Sequence, residues 1–234
     1  MLVITDAHVS EANGNVAAFF DMLDAVAAGG EDVVFLGDIF DLWIALPRYE
    51  DAHQARFLNW CRREKARRVI GFVEGNHEFY VVHRHCDAFT WADADGRRDG
   101  RLLWVHGDLI NRADTNYLRW RRLSKNALMR ALVRVLPGGP RLVQRVKAKM
   151  KKTNKAFRIG LPREALKAFA ARCAGTVDQV FVGHFHEAYA VEADGVRLAV
   201  LPDWFADQSV TLIDTRAGTH VSGHWRTLSA PEGR

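Results

Sequence analysis

The sequence predicts an α/β layered fold, and three observations carry that reading. Apolar runs of strand length alternate with helical patterns through the first half of the chain. Five short polar clusters each stand directly after one of these runs. The last third changes to paired strands joined by tight turns.

The strand-length runs are residues 2–5, 33–36, 69–73, 102–105 and 180–182. They are rich in Val, Ile and Phe, as strands buried on both faces of a sheet are. Between the first pairs, Val16, Phe19, Phe20, Leu23 and Val26 fall at near-helical spacing. Residues 52–66 read as a surface helix with Phe57, Leu58 and Cys61 turned inward. Residues 115–157 read as helical on both sides of a break at Pro137-Gly138-Gly139-Pro140, with an apolar stripe of Leu128, Leu132 and Val135 in the first half. Near the C-terminus, residues 189–191 and 197–201 flank Ala193-Asp194-Gly195 as one hairpin. Residues 210–213 and 220–224 flank Arg216-Ala217-Gly218 as a second. The expected organisation is a core of residues 1–114 and 158–234, with residues 115–157 inserted as a helical cap.

The 234 residues, 48% hydrophobic, suffice for one sizeable core. No apolar run approaches the roughly 20 residues of a membrane span. The start, Met1-Leu2-Val3-Ile4-Thr5-Asp6, lacks the basic and small-residue pattern of a signal peptide, so a cytoplasmic protein is expected. Cys61, Cys86 and Cys173 form no CxxC pair, which argues against a disulfide framework or a thiolate zinc site. Charge is unevenly placed. No acidic residue occurs between Asp114 and Glu164, and 15 of the 33 Lys and Arg residues lie there. The rest of the chain carries 18 basic against 28 acidic residues. A block this one-sided repels itself unless an anionic partner is near: nucleic acid, a phosphorylated substrate or an anionic membrane surface.

The five clusters are Asp6-Ala7-His8, Gly37-Asp38-Ile39-Phe40-Asp41, Gly75-Asn76-His77-Glu78, His106-Gly107-Asp108 and Gly183-His184-Phe185-His186. Ligands of open α/β sheets gather beyond the carboxyl ends of the strands, so these five segments are expected to converge. Asp, Asn and neutral His offer hard oxygen and borderline nitrogen donors, a set suited to Mn, Fe, Zn or Mg. Asp38 is the natural bridge between two cations. Two metals ~3.5–4 Å apart acidify a shared water and clamp phosphoryl oxygens. Taken singly the clusters say little, since a His after a strand is more often packed or solvated and a Gly-Asp is usually a turn. Their force lies in recurring at five strand ends. His53, His83, His85, His220 and His224 fit no cluster, and Glu78 reads as a surface or helix-start residue.

The series D-x-H, G-D-x-x-D, G-N-H-E, a later His and G-H-x-H resembles that of the calcineurin-like metallophosphoesterases, and the resemblance spans nearly the whole chain. It implies a four-layered α/β/β/α sandwich. It implies one metal on Asp6, His8, Asp38 and His186, and another on Asp38, Asn76, His106 and His184, with Mn2+ the expected ion. Within the family, the branch of UDP-2,3-diacylglucosamine pyrophosphatases of the lipid A pathway is similar in its helical cap and in Leu201-Pro202-Asp203-Trp204-Phe205. That likeness implies substrate-binding roles for Asp114, Tyr117, Asn154 and Lys155, a lipid-linked nucleotide as substrate, and peripheral contact with the cytosolic face of the inner membrane. The chain departs from that branch at His77, where G-N-R-D is usual, and at Asn111, where a Cys stands nearby.

His77 is placed to protonate or countercharge the leaving oxygen, and Asp41 to orient its imidazole. The alternative for Asp41 is a helix N-terminal carboxylate. Three readings of the basic cap stay open: a clamp on a lipid nucleotide, a nucleic-acid channel flanked by Trp120 and Phe157, and a solvated basic face.

Overall fold

A computed structural model describes residues 1–140, 142–143 and 160–228. Along the chain run β1 (Leu2–Ile4), α1 (Val16–Ala28), β2 (Val33–Phe35), β3 (Trp43–Ile44), α2 (Ala52–Glu64), β4 (Ile70–Val73), β5 (Glu78–Phe79), α3 (Val81–His85), β6 (Trp91–Asp93), β7 (Arg97–Asp99) and β8 (Leu102–Val105). After them come α4 (Thr115–Ser124), α5 (Ala127–Val135), α6 (Arg163–Arg172), β9 (Gln179–Val182), β10 (Tyr189–Ala193), β11 (Val196–Val200), α7 (Trp204–Asp207), β12 (Ser209–Asp214), β13 (Thr219–His224) and α8 (Trp225–Leu228).

Two sheets stack face to face. One has the order β13-β12-β1-β2-β4-β6, with β1, β2, β4 and β6 parallel. The other has the order β10-β11-β9-β8-β7, with β8, β9 and β11 parallel. Successive strand side chains point to opposite faces, and β1 shows the consequence. Leu2 and Ile4 pack outward against Phe19, Leu23, Phe57 and Trp60 of α1 and α2. Val3 points inward and joins Val34, Leu36, Val73, Trp104, Phe181 and Ala199 between the sheets. The far face of the second sheet packs Val180, Val182 and Leu198 against Leu166 and Ala170 of α6. The layers therefore run helix, sheet, sheet, helix, the sandwich that the family resemblance implies.

All five expected strand runs form strands. Both hairpins form as well, the first turning at Asp194 and Gly195 with φ of 48° and 80°, a pair of left-handed residues that suits a two-residue hairpin loop. Helix α2 begins at a capping box, in which Asp51 accepts from the Gln54 amide and the Gln54 side chain accepts from the Asp51 amide. The short β6 and β7 were not legible. Arg97–Asp99 is a wholly exposed edge with no apolar alternation to betray it.

The segment expected as a cap differs from expectation in its first half. Residues 115–135 form two helices, because Asn126 ends one and starts the next by accepting the Met129 amide on its side chain. Most of the expected second half, with Asn154, Lys155 and Phe157, lies outside the described residues.

Candidate active site

The five clusters meet at the carboxyl ends of β1, β2 and β4 in one sheet and of β8 and β9 in the other. The chain must turn sharply at each end to aim its donors inward. Asp6, His8, Asp38, His184 and His186 all take left-handed backbone, with φ of 51°, 44°, 53°, 71° and 54°. This conformation is uncommon and costly for residues with a Cβ, and its concentration at one place marks a functional constraint. Two glycines make room. A Cβ on Gly75 would lie 2.1 Å from Asp38 Oδ1, and one on Gly183 would lie 2.1 Å from Thr5 Oγ1.

Each carboxylate is fixed by one oxygen and presents the other. Asp6 Oδ2 accepts from the Thr5 hydroxyl at 2.5 Å and from the His184 amide at 2.7 Å. Its Oδ1 is buried without a hydrogen-bond partner, 3.8 Å from His186 Nε2 and 4.0 Å from His8 Nε2. Asp38 Oδ1 accepts from the His77 amide at 2.8 Å. Its Oδ2 lies 3.6 Å from His106 Nε2, 3.8 Å from His77 Nε2 and 4.0 Å from His8 Nε2. Asn76 Oδ1 stands 3.1 Å from His106 Nε2.

The imidazoles are aimed by their other nitrogens. His106 Nδ1 bonds the Leu36 carbonyl at 3.0 Å, and His186 Nδ1 bonds Asp203. Asp203 also caps α7 through the Ala206 amide. His77 is aimed from Asp41. Its Nδ1 lies 2.7 Å from the main-chain carbonyl of Asp41, and the Asp41 charge also favours the protonated ring. A carbonyl fixed by the Asp41 amide bond to Val9 leaves less freedom than a rotatable side chain.

Glu78 overturns its expected place on the surface. It is fully buried, and its carboxylate accepts the amides of Asp38, Ile39 and Gly75 at 2.7, 2.7 and 2.8 Å. It ties the loop after β2 to the loop after β4, and so sets Asp38 against Asn76. Its position straight after His77 in β5 gave no sign of this, because all three partners are backbone amides.

Electrostatics follow from burial and proximity. Burial alone would raise Asp38, yet the His77, His106 and His8 rings hold it well below the usual carboxylate range. Burial and the Asp38 charge push Glu78 up to about 7. Burial would lower His106, but Asp38 outweighs it and lifts the ring to about 10. Burial drives His184 down to about 4, assisted by His106, and lowers His8 as well.

Helix α4 docks beside this centre. Asp114 caps it by accepting the Tyr117 amide at 2.9 Å. Tyr117 and Arg121 both donate to Asp108 Oδ2, at 2.5 and 2.7 Å. Lys125 donates to the Gly75 carbonyl at 2.7 Å and pairs with Glu74 at 3.5 Å.

The profile of the calcineurin-like phosphoesterases matches residues 1–188. The chain belongs to this family. Among curated relatives of this phosphoesterase, UDP-2,3-diacylglucosamine hydrolase of Azotobacter vinelandii is 30% identical, over 94% of this chain and 97% of its own. The enzyme of the same name from Pseudomonas putida strain F1 is 28% identical, over 87% of this chain and 90% of its own. Among solved structures, an archaeal phosphodiesterase aligns over 95% of this chain and 99% of its own at 13% identity, with a TM-score of 0.46.

The phosphoesterase site fits divalent cations. Three sets of donors lie within 4.8 Å of one another: Asp6, His8 and His186; His8, Asp38 and His77; and Asp38, His106 and His184. Separations of 3.6–4.0 Å between Nε2 and carboxylate oxygens are too long for hydrogen bonds and lie within the span of about 4.2 Å open to two donors of one ion. The unpartnered Asp6 Oδ1 is what a cation would satisfy. Six of the expected ligands, Asp6, His8, Asp38, His106, His184 and His186, fall in these sets, and Asp38 belongs to two of them. The five remaining histidines lie apart from them among the described residues: His53 pairs with Glu11, and His85 with Glu50.

Proposed function

We propose that this phosphoesterase cleaves the pyrophosphate bond of UDP-2,3-diacylglucosamine, giving UMP and 2,3-diacylglucosamine 1-phosphate. One observation of the structure carries the substrate class. A two-metal type of centre stands beside helices that leave Leu123, Leu128, Leu132 and Val135 at least half exposed, on a segment otherwise rich in Arg and Lys. A cleft of about 570 Å³ against α5 is lined by apolar residues, Ala45, Leu46 and Val135 among them, and by Arg84, Arg130 and Arg134. A lining of apolar and cationic side chains suits an anionic head carrying acyl chains. The same surface suits peripheral contact with an anionic leaflet. The relatives' names point to the same substrate.

Asp6, His8, Asp38 and His186 would hold one cation, and Asp38, Asn76, His106 and His184 the other, with Mn2+ the expected ion. Bound there, such a pair supplies an acidified water and screens the phosphoryl oxygens. The chain's own groups do the rest. Asp38 faces both halves of the site with one oxygen, while Glu78 keeps its loop in place. His77, with Nδ1 on the Asp41 carbonyl, presents Nε2 toward the reacting centre. Burial opposes its charge, but Asp38 overrides this and raises the ring above the ordinary His value. A protonated His77 donates Nε2–H to the oxygen that leaves with the lipid phosphate as water oxygen bonds to phosphorus. Asp114 and Tyr117 stand at the base of α4 as candidate substrate contacts. The same roles are proposed for Asn154 and Lys155.

Purified protein with Mn2+ is given UDP-2,3-diacylglucosamine and single-stranded DNA in parallel. Release of UMP from the first alone is the expected result. Faster cleavage of the DNA would replace this reading with a nuclease, which the basic segment also accommodates.

A further inference from the structure

We infer that Phe205 is a stacking platform for the nucleobase of the substrate, which places the nucleotide end beside the Asp6, His8 and His186 half of the centre. The inference deepens the lipid-nucleotide reading and rests on it. Phe205 is 45% exposed, an unusual state for a Phe at the rim of a buried cluster of charged donors. It is also held firmly. Its amide bonds the Asp6 carbonyl at 3.1 Å, and the amide of the fully buried Trp204 bonds the Thr5 carbonyl at 3.0 Å. Asp203, one residue earlier, links the same turn to His186. The Phe205 ring meets His8 edge to face, with centroids 5.8 Å apart and planes at 88°. His8 in turn stacks on His186 at 5.3 Å.

A rigid, outward aromatic loses little entropy on binding and offers a π face to any base. Direction follows from the helices. Helix α4 touches the loops of Gly75 and Asp108, which belong with Asn76 and His106. Phe205 touches the loop of Asp6 and His8. A diphosphate laid across the centre therefore sends one substituent toward the apolar helices and the other toward Phe205. Acyl chains match the first, and the base matches the second. The chemical class is a nucleoside monophosphate, uridine in the proposed substrate.

The test is calorimetric titration of the Mn2+-loaded protein with UMP and with ribose 5-phosphate, which lacks only the base. Wild type is expected to bind UMP more tightly. Phe205→Ala is expected to weaken UMP by roughly ten- to hundredfold, the range lost with a base–aromatic stack, and to leave ribose 5-phosphate unchanged. Phe205→Trp is expected to keep the UMP advantage, and Phe205→Leu to lose most of it. An equal loss for both ligands would reduce Phe205 to a prop for His8 and overturn the inference. An unchanged UMP advantage in Phe205→Ala, or none in wild type, would overturn it too. Failure to hydrolyse UDP-2,3-diacylglucosamine is a separate result, because this titration reads the base alone.

Discussion

Glu78→Gln separates the charge of this residue from its shape. The metal-free wild type buries a carboxyl raised to about 7, from an ordinary 4.5, by desolvation and the Asp38 charge. A raised folded-state value means that the folded protein holds the proton more tightly than the unfolded chain. The associated stability is fully present below about pH 4.5 and is lost as pH rises through about 7. The 2.5-unit difference corresponds to about 3 kcal/mol, to order of magnitude. Gln cannot ionise, so the variant lacks this slope. It carries a different fault, since its NH2 end faces an amide donor where an oxygen of Glu78 accepts from Asp38, Ile39 or Gly75. A lost bond and an unsatisfied donor cost roughly 2 kcal/mol. Urea unfolding of both proteins without metal, from pH 5 to 9, reads the difference and cancels the groups they share. Glu78→Gln is expected to be less stable by about 2 kcal/mol at pH 5 and to equal or pass wild type by pH 9. A gap constant across the range would refute the assignment of the raised carboxyl to Glu78.

Three further outcomes follow from the site. His77→Ala should slow cleavage of a poor leaving group by about 10²-fold or more, and spare an ester whose leaving group needs no proton; equal losses on both would remove the acid role. Lys125→Ala should weaken Mn2+ binding measurably while Lys125→Arg retains most of it, because Lys125 Nζ fixes the Gly75 carbonyl beside Asn76; calorimetry with Mn2+ alone provides the reading. His106, raised to about 10 by Asp38 in the metal-free protein, must surrender its proton to act as a ligand. Mn2+ affinity should therefore rise with pH between 6 and 9, with protons released into a weak buffer, and His106→Asn should flatten that rise.

Much of the catalytic half was legible because its signals are local. A Val-rich run marks a buried strand wherever it lies, and an Asp or His directly after it lies at a carboxyl end. This is why Asp6, His8, Asp38, Asn76, His106, His184 and His186 converge as the motifs implied. The helix break at Asn126 was missed because a capping side chain within a basic run is quieter than the Pro-Gly pair at 137–140. Asp41 stands beside His77, and the contact to Nδ1 runs through its carbonyl, which a sequence of side chains does not display.

The opening signal, alternating strand and helix with donors at strand ends, was a property of the sequence alone. It determined the α/β class, the donor chemistry and the place of each expected ligand at a strand end, because residue type and strand periodicity need no distant partner. Only the tertiary structure decided how these donors are held. Glu78 reaches amides on two loops, Lys125 reaches Gly75 from the end of α4, and Phe205 stands over His8 through a turn pinned to the end of β1. Each depends on backbone atoms brought together across long stretches of chain, and main-chain donors and acceptors are the same at every position of a sequence.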